Sequence, residues 1–231
     1  MMARADYAAI ARWVPAKARV LDLGCGDGEL LKYLREERAT AGYGVEIDAD
    51  NIVACVKNGV NVIQMDLESG LSGFENDSFD CVILSQTLQA VLNTELMMSE
   101  LLRVGREAIV TLPNFGYWRH RLQLFLGGHM PVSPTLPYQW FDTPNVHMCT
   151  LADFEAFCEH REVRILERLV LDGGRVVKTL PNLRGSLAIY RVKGGQVVPD
   201  IASRRDIIAR PTKVPRDVLC QQPQSRKSNP G

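Results

Sequence analysis

The chain has 231 residues, 46% of them hydrophobic and 23% charged, with 27 basic side chains balanced by 27 acidic ones. That composition suits one domain of about 190 residues with a sizeable core, followed by a tail. The zero net charge gives no basic excess for nucleic acid, and no apolar run is long enough to span a bilayer, so neither nucleic acid nor membrane is expected as a partner.

Arg4, Asp6 and Arg12 interrupt the opening apolar residues, which predicts no cleaved leader. A helix over 5–14 would place Tyr7, Ile10, Ala11 and Val14 on one side. A strand over 19–23 then runs into Gly24-Cys25-Gly26-Asp27-Gly28, and a helix follows over about 28–37. A second strand over 42–46 ends in Glu46, and Asp48 and Asp50 lead into a helix over about 49–58 that Asn58-Gly59 closes. A third strand covers 61–65, and a turn-rich loop leads to a fourth at 79–84. Thr94 is the expected N-cap of a helix over 95–104, and a fifth strand covers 107–112. Strands alternating with helices imply right-handed crossovers and a parallel sheet.

Beyond 149 the pattern changes. Thr150 and Asp153 have capping-box-like spacing for a helix to about 160, with Phe154, Phe157 and Cys158 inward. Segments 163–171 and 186–192, with Gly173-Gly174 between them, suggest a closing antiparallel pair. From Gly194 the prolines and polar residues predict a disordered tail over 194–231. The six cysteines, at 25, 55, 81, 149, 158 and 220, form no Cys-x-x-Cys pair, so reduced thiols in a cytoplasmic chain are expected. His120, His129 and His147 have no metal-ligand spacing, and no metal is predicted.

The loop at 24–28 carries the first chemical signal. It lies between a strand and a helix N-terminus, where an open α/β sheet binds nucleotide-like ligands. A dinucleotide fingerprint would need glycine at position 29, which is Glu29, and no Gly-Lys-Ser/Thr follows for a phosphate loop. Asp22 and Asp27 would repel a pyrophosphate. They suit S-adenosylmethionine (SAM) or its demethylated product S-adenosylhomocysteine (SAH), which have no phosphate and carry an ammonium. Glu46, at the end of the second strand, can accept both hydroxyls of a ribose.

With these residues the stretch resembles the first motif of class I SAM-dependent methyltransferases. Val62-Ile63-Gln64-Met65-Asp66-Leu67 is similar to that family's third-strand motif, and Asn76 to Gln89 to its fourth-strand motif. The resemblance implies a Rossmann-like fold with a mostly parallel seven-stranded sheet, order 3-2-1-4-5-7-6, and helices on both faces. It further implies that Gly24, Gly26 and Gly28, with Cys25 between them, approach the methionine part while Asp22 orients its amine. Glu46 and Ile47 would hold the ribose side, Asp66 and the Leu67 amide would read adenine, and Ser85 would line the floor near the sulfonium.

Residues 113–149 stand apart. A helical stripe of Trp118, Leu122, Phe125 and Leu126 has Arg119 beside it, and a proline-stiffened run follows with Tyr138, Trp140 and Phe141. Such a segment is either a satellite core or cap over the sheet edge, or a partner-binding surface carried by Trp118, Arg119, Tyr138, Trp140 and Phe141. Pro113-Asn114-Phe115 follows the fifth strand, so it is not the Asn-Pro-Pro-Tyr loop of amino-group methyltransferases, which follows the fourth.

The runs Leu88-Gln89-Ala90-Val91, Pro113 to Arg119, Met130-Pro131-Val132 and Leu136 to His147 resemble the MetW family of methionine-biosynthesis proteins over residues 3–192. The resemblance makes 1–193 one SAM-binding domain and implies a complex with homoserine O-acyltransferase. Two functions follow from it. The chain would be an accessory subunit of that enzyme that senses SAM, or a methyltransferase acting on a small molecule or on its partner.

Overall fold

The computed structural model describes residues 5–195. Helix α1 (Ala5–Trp13) precedes β1 (Arg19–Leu23), α2 (Glu29–Arg38), β2 (Ala41–Glu46), α3 (Ala49–Lys57) and β3 (Val62–Gln64). A 3-10 turn at Leu67–Ser69 leads to β4 (Phe79–Ser85), and a second at Leu88–Ala90 leads to α4 (Thr94–Val104) and β5 (Gly105–Pro113). Helix α5 (Trp118–Gly127) is followed by a long irregular stretch, then α6 (Leu151–His160), β6 (Val163–Asp172), β7 (Arg175–Val176), α7 (Pro181–Arg184) and β8 (Leu187–Gly194).

The described residues form one sheet in the order β3-β2-β1-β4-β5-β8-β6-β7. Strands β1 to β5 pair in parallel, and β8 runs antiparallel between β5 and β6. The expected seven-strand order is kept, with β8 in the place of the seventh strand. The eighth strand, β7, is a correction. It has only two residues, both exposed, and hairpins onto β6 through Gly173-Gly174. Two exposed residues carry no alternation, so no period announces them. The tail expected over 194–231 falls outside the described residues except for Gly194, which ends β8, and Gly195.

Side chains alternate along the strands between two apolar layers. Val20, Cys81, Ile83, Ile109 and Ile189 pack with α1, α2 and Cys55 of α3. Leu21, Leu23, Val82, Leu84, Val110 and Tyr190 pack with α4 and α6. Each such aliphatic side chain contributes roughly 1.5–3 kcal/mol on burial. The alternation puts Asp22 on the same face as Val20, where its carboxyl is surrounded by the first layer rather than by water. Because the strand order reverses beside β1, the crevice opens at the carboxyl ends of β1 and β4.

The helix ends follow their capping chemistry. Asp48 caps α3 by accepting from the Asn51 amide at 2.9 Å. The Thr150–Asp153 capping box opens α6 as its spacing predicts. The cap of α4 is Asn93, one residue earlier than the expected Thr94, and its side chain accepts from the Leu96 amide at 3.0 Å. A short amide acceptor reaches the third amide of the helix, so Thr94 becomes the first helical residue.

The stretch after β5 is held by buried polar side chains together with the buried Tyr117 and Leu136. Asn114 is fully buried; its amide donates to the Asn182 and Gly185 carbonyls, and its carbonyl oxygen accepts from the Gly116 amide. His120 is the buried member of α5, with Nδ1 3.1 Å from the Asn114 carbonyl and Nε2 2.8 Å from the Ser133 hydroxyl. A carbonyl only accepts, so Nδ1 carries the proton and Nε2 accepts from Ser133. Burial lowers the His120 pKa and keeps the ring neutral.

Candidate functional site

The site is assembled where β1 stops. Beyond Leu23 the chain turns through Gly24, Gly26 and Gly28 with φ of 69°, 56° and 77°. A Cβ at Gly24 would stand 2.7 Å from the Thr87 side chain, so this glycine permits the loop to pass the β4 exit. A Cβ at Gly26 would meet nothing within 4 Å, which leaves the Gly26 backbone bare toward open space.

Glu46 braces this loop. It is only 8% exposed; Oε2 accepts from the Gly26 amide at 2.8 Å, and Oε1 accepts from the Ile47 and Asp48 amides at 2.8 and 3.0 Å. A carboxylate has about four acceptor positions, so one remains for a ligand hydroxyl. Beneath the loop, Cys25 and Cys55 are 3.7 Å apart, and the Cys55 thiol donates to the Gly26 carbonyl at 3.1 Å. Burial raises both thiol pKa values, so they remain protonated packing groups rather than nucleophiles.

Asp22 is buried at the floor of the loop without a full set of partners. It is 1% exposed, and its Oδ1 has no hydrogen-bond partner among the described residues. Burial, and then the charge of Glu46, push its pKa from 3.8 to about 7. A buried carboxyl oxygen without a donor is costly to leave so. A cationic amine beside it would satisfy the orphaned oxygen and restore the carboxylate.

These groups line a cleft of about 700 Å³. Asp22, Gly24, Cys25, Gly26, Glu46, Ile47, Leu67 and Ser85 all line it, as the motif spacing predicts. Gly28 does not; it is the left-handed N-cap residue of α2, packed against Cys55 and Val60. Asp66 does not line the cleft either. Its carboxylate accepts from the Glu68 amide at 2.9 Å and caps the 3-10 turn, while Met65 and Leu67 on either side of it reach the cleft. The Ser85 hydroxyl is tied to Thr111 at 3.2 Å.

Other lining residues were not singled out from the sequence. Gln86 and Thr87 directly follow β4, inside the run that resembles the fourth-strand motif, and could have been read from that position. Tyr7 comes from α1, brought in only by the fold. Tyr138 and Pro144 come from the irregular stretch, so that segment does reach the cleft rim. Between them Trp140 and Phe141 point outward, 73% and 70% exposed, with their rings edge to face. On α5, Trp118, Leu122, Phe125 and Leu126 are 42%, 45%, 84% and 72% exposed, and the Arg119 guanidinium lies 5.3 Å from the centre of the Trp118 ring. The α5 stripe is a surface, not a satellite core, because His120 has taken the inward position.

Comparison with known proteins agrees with this geometry. A family model described as "Methionine biosynthesis protein MetW" matches residues 4–192. The "Bifunctional methionine biosynthesis protein MetXA/MetW" of Rhodopirellula baltica is 38% identical over 197 residues, covering 80% of this chain and 32% of that protein. The chain thus spans about a third of the relative's length. Among solved structures, an S-adenosylmethionine-dependent methyltransferase from Mesorhizobium loti superposes with a TM-score of 0.60 at 16% identity, covering 82% of this chain and 98% of the other. A SAM-dependent methyltransferase from Archaeoglobus fulgidus gives 0.53 at 20% identity, covering 81% and 92%. At these identities the two structures establish the fold alone.

Proposed function

The chain belongs to the MetW family of methionine-biosynthesis proteins, and from that premise we propose that it binds SAM or SAH in the cleft and serves homoserine O-acyltransferase as a SAM-responsive accessory subunit. The fit to the ligand is chemical. The orphaned Asp22 oxygen suits the ligand ammonium, the spare acceptor position on Glu46 suits a ribose hydroxyl, and the bare Gly26 backbone leaves room for the methionine chain. Leu67 is placed to flank the base, Ile47 lies beside Glu46 on the ribose side, and Ser85 forms the floor. Once bound, SAM supplies an electrophilic methyl group, whose transfer depends on positioning and a dry pocket more than on a dedicated base.

The carrying observation for the accessory role is the stretch from Tyr138 to Pro144. Its ends line the cleft, and its middle presents Trp140 and Phe141 to the outside. One short loop therefore touches both the ligand and any partner. The relative supports the partnership, since its name joins MetXA and MetW in one bifunctional chain, and we take MetXA as the acyltransferase. Tryptophan, tyrosine and arginine, the residues most enriched at binding hot spots, recur on this surface. Among the described residues no helix is long and apolar enough to cross a membrane.

A SAM response requires the ligand to bind the active and inactive complexes with different affinity. The test is the acylation rate of homoserine by the acyltransferase of the same organism, alone and with the chain, with and without SAM. The proposal expects a rate that depends on the chain and shifts with SAM. Absence of both binding and rate change would hand the lead to the second reading, methyl transfer to a small molecule or to the partner. Asp22, Gly24, Gly26 and Glu46 on the cleft wall favour that alternative, and a screen with methyl-labelled SAM would follow.

A further inference from the structure

A second cavity lies beside the cleft, and nothing above uses it. It encloses about 450 Å³ between the carboxyl end of β5, α6 and the irregular stretch. That volume is in the range of small-molecule sites. Leu88, Leu112, Phe115, Leu136, Phe154 and Phe157 form its walls. The two cavities share their partition. Thr87 and Ala90 face the cleft, whereas Leu88 and Gln89 of the same turn face the second cavity; Tyr138 lines the first and Leu136 the second.

A void of this size forfeits dispersion contacts along every wall, because protein interiors are otherwise packed like organic crystals. An apolar guest restores those contacts. The polar groups at the rim decide what else the guest carries. Two of them, Glu95 and Asp153, are carboxylates, and no lysine or arginine lines the cavity among the described residues. Hydrogen bonds from the Thr150 amide and hydroxyl hold the Asp153 pKa below the usual carboxylate value, so it stays charged. Glu95 pairs with Arg161 in an exposed ion pair, which is weak and exchangeable. Two rim donors are engaged, His147 Nε2 with the Leu92 carbonyl at 3.1 Å and Gln89 Nε2 with the Gln86 carbonyl at 2.6 Å, while the buried Gln89 Oε1 has no hydrogen-bond partner among the described residues and is an open acceptor. A carboxylate or phosphate entering here would meet like charge and no lysine or arginine to receive it.

We propose that this cavity is a second ligand site and that it takes an amine with an apolar body. The proposal stands on the cavity and its rim, independently of what fills the neighbouring cleft.

The test uses two probes of one body and opposite heads, 4-phenylbutylamine and 4-phenylbutyrate, titrated into the full chain by calorimetry. The amine should bind at least tenfold more tightly than the acid. Met148→Trp, at a lining position that is 39% exposed, should weaken the amine at least tenfold while leaving thermal stability and SAM affinity unchanged. Glu95→Gln should narrow the gap between amine and acid several-fold. Failure of the amine to bind, equal binding of the two, or amine affinity untouched by both substitutions would overturn the proposal.

Discussion

Two regions of this molecule handle their apolar side chains in opposite ways. From Val20 to Val45 nearly every aliphatic residue of the strands is buried, and only the turn at their ends is left for chemistry. From Trp118 to Met148 most large apolar side chains stay outside, Phe125 at 84% and Trp140 at 73% exposed, while Leu136 and the polar His120 are buried. The first region obtains its shape from sheet registry and hydrophobic burial, so its ligand groups are rigid whether or not a ligand is present. The second is held by a few hydrogen-bonded pins, and its exposed apolar surface is the part that a partner would stabilise. A substitution in the first should therefore read out in ligand affinity and chain stability, and one in the second in complex formation.

The strongest way to break that contrast is Asp22→Asn. In the folded chain the Asp22 carboxyl titrates near 7 rather than 3.8. The folded state therefore holds this proton where the unfolded state has lost it. Its contribution is fully present below the unfolded pKa and is lost as pH rises through about 7, a difference on the order of 4 kcal/mol. Asparagine cannot ionise, so the variant should gain stability relative to the native chain between pH 5 and pH 8, measured by urea unfolding at both values. SAM affinity should fall ten- to a hundredfold, the scale of a lost charge-assisted hydrogen bond. A stability difference that does not change with pH would remove Asp22 as a strained group.

Glu46→Ala comes next. Three backbone donors lose their acceptor and the Gly26 amide loses its brace. SAM binding should weaken by about 3 kcal/mol or less, with faster hydrogen exchange at Gly26. Affinity and exchange that match the native chain would mean that the loop is held by its glycines and cysteines alone.

Trp140→Ala sharpens the other side. A fully exposed anchor costs the free chain almost nothing to lose, so melting temperature and SAM affinity should be unchanged. Binding to the acyltransferase should weaken by about 2 kcal/mol, as for a hot-spot tryptophan. A complex that forms normally would move the interface to α5, where Phe125→Ala is the matching probe.

The same contrast explains what could be read from the sequence. Strands β1 to β5 and helices α1 to α4 lie within two residues of their expected positions, because a two-residue or 3.6-residue apolar period has one solution once the layers are packed. The cleft residues from Asp22 to Ile47 were legible because strand-end position and residue type together determine their place. Asp66 was legible as a motif; one of its carboxylate oxygens also caps the local turn, a use that the motif does not announce. The irregular stretch offered composition without period. Its aromatic residues could equally fill a core or a surface, and only the inward turn of His120 decides between them. Tyr7 and Pro144 reach the cleft through tertiary contact that no local pattern encodes.

Tyr138 is the residue that belongs to both regions, and its truncation gives the smallest and most informative effect. It lines the cleft yet is 49% exposed, so it covers the rim without closing it. Tyr138→Ala should lower SAM affinity by about 1 kcal/mol, a partial loss of aromatic contact. The more telling quantity is the coupling. If the loop from Tyr138 to Pro144 links ligand to partner, SAM changes partner affinity by some factor, and the partner must change SAM affinity by the same factor. Removing the inner contact while leaving Trp140 in place should shrink that factor toward one, even though each ligand still binds. Measuring SAM affinity with and without the acyltransferase, in the native chain and in the variant, closes the cycle. A factor that survives the substitution would mean that the two regions communicate through the sheet rather than through the loop.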